Sequence, residues 1–154
     1  MMNLILQFIF SFFASFSFGI LFNIPRRHLI ASGVTGALAW LVYYIFSNKF
    51  LFEAIIADFA GAITLTTFAI IFTKIYRAPM IVFVTCGLIP LVPGGKAYEA
   101  VRRIVEGDYM KALDAGFQAS LISFSIAMGI IITEMVYELF RNIIRKVREN
   151  NHAA

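Results

Sequence analysis

The sequence predicts an all-α, polytopic membrane helical bundle of about five transmembrane helices, with a broken, short fourth helix and a C-terminal amphipathic extension. Three observations predict it. Of the 154 residues, 60% are hydrophobic and 14% charged, against about 45–50% and about 25% in a soluble domain, so too few charges remain to cover a water-facing surface. Phenylalanine occurs 17 times, a load that lipid accepts but a small aqueous core would have to bury almost entirely. The apolar residues also gather into five stretches separated by short polar breaks, and about 20 residues per crossing fits five helices into this length.

The first stretch, about 3–22, stops at Asn23-Ile24-Pro25-Arg26-Arg27-His28. No Lys or Arg precedes its apolar run and no clear small-residue cleavage site follows, so a retained membrane helix is expected rather than a signal peptide. The second, about 29–46, stops at Ser47-Asn48-Lys49, and the third, about 52–73, at Lys74-Ile75-Tyr76-Arg77-Ala78-Pro79. The fourth, 80–92, gives roughly 20 Å of helix at about 1.5 Å per residue, short of the roughly 30 Å hydrocarbon core. The fifth runs over about 112–136. Two amphipathic segments accompany them, 96–106 and 137–149, within a single integral membrane domain spanning 1–154. The second of these has Val136, Phe140, Ile143, Ile144 and Val147 on one face and Arg141, Arg145, Lys146 and Arg148 on the rest. An interfacial segment on anionic lipid and a solvated helix end both fit that pattern.

Five crossings with the N-terminus outside place eight Lys/Arg on the cytoplasmic side and five on the outer side, the orientation that the positive-inside rule favours. A re-entrant fourth stretch would instead put the basic tail outside. Cys86 is the single cysteine, which excludes an internal disulfide framework and a Cys-rich metal site. No basic run with interleaved aromatics suggests a nucleic-acid partner. With only His28 and His152 and none of the familiar nucleophile, metal or phosphate-loop motifs, neither an enzyme nor a cofactor is expected.

The most informative run is Ile89-Pro90-Leu91-Val92-Pro93-Gly94-Gly95-Lys96-Ala97-Tyr98. Pro90 and Pro93 remove backbone donors and Gly94-Gly95 permits non-helical dihedrals, so no helix continues through it. Irregular backbone at membrane depth survives only inside protein or beside a wet cavity, and transporters use broken helices to hold solutes and ions. A plain helix end with a proline-rich outer turn is the other reading. Asp58 lies within the third stretch among Ala54, Gly61, Ala62 and Ala69. An acid there faces a bundle interior or cavity, as a proton carrier or cation site, or else starts the helix near the headgroups.

Small and polar stripes mark the other helices: Gln7, Ser11, Ala14 and Ser15 in the first, Gly33, Gly36 and Ala37 in the second. Gly116, Ser120, Ser123 and Ala127 form the stripe of the fifth. They serve close helix packing or line a solute path. Glu134, Glu138 and Arg141 fall one turn apart, as an interfacial charge pair or a proton-exchange site. His28 reads as part of the basic loop.

Phe22-Asn23-Ile24-Pro25 followed by a basic residue, and Ile89-Pro90-x-x-Pro93-Gly94-x-x-x-Tyr98 after the short fourth stretch, on a chain of this size, resemble the threonine/serine exporter family, specifically its small, YjjB-type membrane subunit. The resemblance implies a multi-pass protein of a bacterial or archaeal cell membrane (inner or plasma membrane). It implies secondary export of small amino or carboxylic acids, with a larger membrane subunit of the same family as partner and a homo-oligomer as a further arrangement. On that reading Pro90, Pro93, Gly94, Gly95, Lys96 and Tyr98 form a solute site or gate and Asp58 couples protons. Gln7, Ser11, Asn23, Gly61, Gly116, Ser120 and Ser123 serve packing or the path. Lys96 departs from the small uncharged residue expected after the glycines; it would attract a carboxylate or reach the outer headgroups. The rival expectation is an assembly subunit that stabilises the larger partner without touching solute.

Overall fold

Each helix of the computed structural model begins or ends where a proline, a glycine or a left-handed residue forces it to. The described residues are 2–49 and 54–152, with side chains described over 4–48 and 54–146. The elements are α1 (Met2–Leu21), α2 (Arg26–Lys49), α3 (Ala54–Tyr76), α4 (Met80–Gly87), a 3-10 turn (Ile89–Leu91), α5 (Gly94–Val105) and α6 (Tyr109–His152). The expected start of the third helix at Phe52, and the side chains of Lys49, Val147 and Arg148, lie outside the described residues.

Asn23 ends α1 in the left-handed region (φ 55), and the Ile24 N–H donates to the Gly19 carbonyl at 3.0 Å, which satisfies a terminal carbonyl. Pro25 then sets up the first turn of α2, its carbonyl accepting the His28 N–H at 2.8 Å. Helix α2 therefore begins at Arg26, earlier than hydropathy suggested, because its charged first turn is still helical. Arg77 (φ 50) closes α3 in the same way, and Pro79 caps α4 with φ −58. Gly107 (φ 81) reverses the chain after α5, a conformation that favours glycine. Asp108 starts α6 by accepting the Lys111 N–H at 3.3 Å.

Helices α1, α2, α3 and α6 form a row in which each packs on the next, while α4 lies against α2 and α3. Interior contacts are made by small residues: Ala31, Ala37, Ala39, Ala57, Ala62 and Ala69 are buried, with Leu65, Phe83 and Leu91 as bulky plugs. Lipid offers helices no hydrophobic drive to associate, so close backbone approach and dispersion hold them together. The tightest crossing joins α1, α2 and α4. A Cβ on Gly36 would overlap the Ser15 hydroxyl and lie 3.1 Å from the Gly87 Cα. Away from these seams the chain presents lipid-compatible faces such as Phe10, Phe13 and Leu21 on α1.

Neighbours α1, α2 and α3 alternate in direction, but α6 runs parallel to α3. The Ser125 hydroxyl donates to the Ile55 carbonyl at 2.6 Å, a Cβ on Gly129 would meet the Phe59 carbonyl at 3.0 Å, and the Lys74 ammonium sits 4.8 Å from the Tyr137 ring centre. Both numberings rise together. The α4–α5 pair, bent by 53° over Met80–Leu91 and Gly94–Val105, therefore carries the chain from one end of the bundle to the other instead of doubling back. Four helices are long and apolar enough to cross a membrane, and the bent pair counted as one broken span makes a fifth candidate.

The fifth stretch and the amphipathic tail expected as its extension form one helix of 44 residues, about 66 Å at about 1.5 Å per residue. No glycine or proline lies between Val136 and Arg148 to interrupt it.

Candidate functional site

The broken span places its 3-10 turn inside the bundle, touching α1, α2 and α3. Leu91, 3% exposed, fits against Gly61, where a Cβ would sit 3.0 Å from Leu91 Cδ2 and 3.2 Å from the Ala39 carbonyl. Pro90 beside it borders a cavity of about 200 Å³ together with Gln7, Ser11 and Trp40. There the Trp40 indole N–H donates to Gln7 Oε1 at 2.7 Å, and the buried Ser11 hydroxyl donates to the Gln7 carbonyl at 2.6 Å. The tryptophan ring lies 4.9 Å from that of Tyr43.

Asp58 lies one turn from Gly61 and Ala62 on α3 and is 4% exposed. Among the described residues, no hydrogen bond or ion pair reaches its carboxylate. Tyr43 of α2 stands within electrostatic range of it. Asp58, Tyr43, Trp40 and Gln7 thus form a polar line across α3, α2 and α1 at the depth of the break. A buried polar group without a partner costs free energy of several kcal/mol or more when charged. A proton, a metal cation or a solute ammonium would each relieve that cost.

The remaining gate residues sit apart from this line. Gly94 and Gly95 have open space around them. Lys96 pairs with Glu99 at 3.4 Å, and Tyr98 is 68% exposed. Among the described residues, helix α5 packs chiefly on α6, with Ala100 against Gly116. Its charged face is a ladder in which Glu106 meets Arg102 at 2.8 Å and Arg103 at 3.2 Å. The Arg102 hydrogen bond holds the Glu106 carboxyl below its ordinary range, and the Lys111 hydrogen bond does the same for Asp108.

Ser120 and Ser123 face outward, their hydroxyls returned to the Gly116 and Ala119 carbonyls at 2.9 Å. The α3–α6 seam uses Ile122, Ser125, Ile126 and Gly129 instead. Asn23 is a helix terminator and borders a groove with Arg26 at the basic end. His28, expected in an exposed basic loop, is instead 2% exposed, edge-on to Tyr76 and Phe83 at 5.5 and 5.8 Å, and its Nε2 accepts from Arg27 Nε at 2.9 Å.

Sequence reasoning missed Trp40 and Tyr43, although their spacing of three on one helix face next to a polar stripe is a usable signal. Among the described residues, no three His, Cys, Asp or Glu side chains gather as metal ligands.

No curated protein and no solved structure matches the chain. A family model does, described as Threonine/Serine exporter, ThrE, and it covers residues 7–136. A multi-pass bundle with a broken span and an internal polar line is the architecture of a solute carrier, and with that match over most of its length the chain belongs to the threonine/serine exporter family.

Proposed function

We propose that the chain is the membrane subunit of a proton-coupled secondary exporter of small amino or carboxylic acids such as threonine and serine, working with a larger subunit of the same family in a bacterial or archaeal cell membrane. The observation that supports this best is Asp58: buried, with no donor to its carboxylate among the described residues, and one turn from the Gly61–Leu91 contact beside the break. Proton binding at Asp58 would change the charge beside that break, and the 3-10 turn is the segment best placed to respond, since two prolines leave its backbone incompletely paired. The Gln7–Trp40 cavity beside Pro90 takes the solute, and Pro93, Gly94 and Gly95 supply the hinge. Lys96, engaged with Glu99, opens to solute carboxylate only when that pair parts. The basic end, with Arg26, Arg27, Lys74 and Arg77, faces the cytoplasm.

Export of threonine and serine from cells carrying both subunits tests this. Asp58→Asn is expected to reduce export at least tenfold and abolish its dependence on the proton gradient, with Pro93→Ala reduced less. Full export by both variants would remove these residues from the mechanism.

A second reading, an assembly subunit that never touches solute, draws on Ser120 and Ser123, which lie exposed on α6 beyond the Ala100–Gly116 contact with α5. It expects bulky substitutions at Ser120 to abolish co-purification with the larger subunit and Asp58→Asn to be silent.

A further inference from the structure

At the basic end of the bundle, a second polar cavity of about 320 Å³ opens between α3, the start of α4 and α6. That volume lies at the lower end of the range of small-molecule sites. Its walls include Thr73, Met80, Glu134, Tyr137, Glu138 and Arg141. Three features distinguish it from a solvated helix end.

The first is Thr73. Thr64, Thr66 and Thr67 on the same helix each return their hydroxyl to the carbonyl four residues back, at 3.0, 2.9 and 2.8 Å. The Thr73 hydroxyl does not; its oxygen is buried and has no hydrogen-bond partner. A buried hydroxyl left unpaired costs about 1–3 kcal/mol, which a ligand atom would recover.

The second is the pair Glu134 and Glu138. They stand one helical turn apart, a spacing at which like charges repel. The expected ion pair with Arg141 does not form: no described cation lies within salt-bridge distance of either carboxylate. Lys74 and Arg141 instead flank the Tyr137 ring, at 4.8 and 6.0 Å from its centre. Positive and negative groups thus line one cavity without neutralising each other.

The third is helix α4, which begins at Met80 on the cavity wall with no side chain capping its first turn. Its free amides and dipole favour a carboxylate.

We infer that this cavity is a loading site for a zwitterionic α-amino acid. The ammonium group sits between Glu134 and Glu138, the carboxylate takes Arg141 and the first turn of α4, and a side-chain hydroxyl meets Thr73. Separated charge of both signs selects a zwitterion over a simple anion or cation, because each end of the ligand meets its complement while a singly charged molecule leaves one set unpaired. This rests on the export reading and deepens it: the cavity lies at the end assigned to the cytoplasm, where an exporter collects solute, and it is separate from the Asp58 line.

Binding to the full chain in nanodiscs tests it, with L-serine, glycerate (no ammonium) and ethanolamine (no carboxylate) as probes. Serine is expected to bind at least tenfold more tightly than either analogue. Glu134→Gln with Glu138→Gln should weaken serine at least tenfold, and the near-isosteric Thr73→Val several-fold, while Ile30→Val on the lipid-facing surface keeps binding. Glycerate or ethanolamine binding as tightly as serine overturns the assignment. Serine binding untouched by the glutamate and Thr73 variants overturns the loading site alone and leaves export intact. No serine binding by the wild-type chain overturns the loading site, while threonine and serine export from cells carrying both subunits decides the export reading separately.

Discussion

The residues that matter most for assembly of this bundle are those that have almost no side chain. Gly36 is the sharpest case, since its absent Cβ is what allows the Ser15 hydroxyl and the Gly87 backbone to meet α2. Gly36→Val is therefore expected to cost about 2 kcal/mol or more and to lower the melting temperature in detergent by several degrees. Ile30→Val, on a lipid-facing position 64% exposed, should leave it unchanged. A melting curve of each variant checks the pair. Single residues were legible in the sequence in proportion to their contrast with their surroundings. Asp58 stood out because an acid is rare in an apolar run, and the structure buries it. Leu91 did not, because one leucine among many gives no hint that it will fill the notch at Gly61. His28 was misread for a related reason: adjacent arginines suggested an exposed loop, whereas the ring turns inward to Tyr76 and Phe83 while the arginines beside it face out.

At the scale of elements, prolines and glycines made the broken span readable, but not its direction of bend nor the helix on which it leans. Those depend on contacts between residues far apart in sequence, Ala100 with Gly116 above all. Likewise the charges of α5 announced an amphipathic helix without revealing that Lys96 is occupied by Glu99. The ladder itself has a pH signature. The folded state depresses the pKa of Glu106 and Asp108 through Arg102 and Lys111. Their contribution is therefore present above the unfolded carboxylate pKa of about 4 and is lost as pH falls through the lower folded values. Hydrogen exchange of the α5 amides is expected to accelerate below about pH 4 beyond the intrinsic rate, and Glu106→Gln should show the same fast exchange at neutral pH. Unchanged protection in that variant would show that α6 packing alone holds α5.

The whole molecule is defined by the parallel course of α3 and α6, which sends the start of α1 and the end of α6 to opposite ends of the bundle. In a Cys86→Ser background, cysteines at Asn48 and Lys111 should react with an impermeant maleimide from one side of sealed cells, and a cysteine at Arg77 only after lysis. Labelling of all three from outside would refute the five-span path. Hydropathy alone supported the count but could not choose between a crossing and a re-entrant loop; the 53° bend fits either, and the parallel α3–α6 register favours a crossing. The same register makes α6 a rigid lever. One tight contact, Gly129 against Ala62 and the Phe59 carbonyl, sits near the middle of the rod, with arms of about 30 Å on either side at about 1.5 Å per residue. A rocking of about 5° on that fulcrum swings each tip by about 3 Å in opposite senses, so opening at one membrane face is mechanically tied to closing at the other.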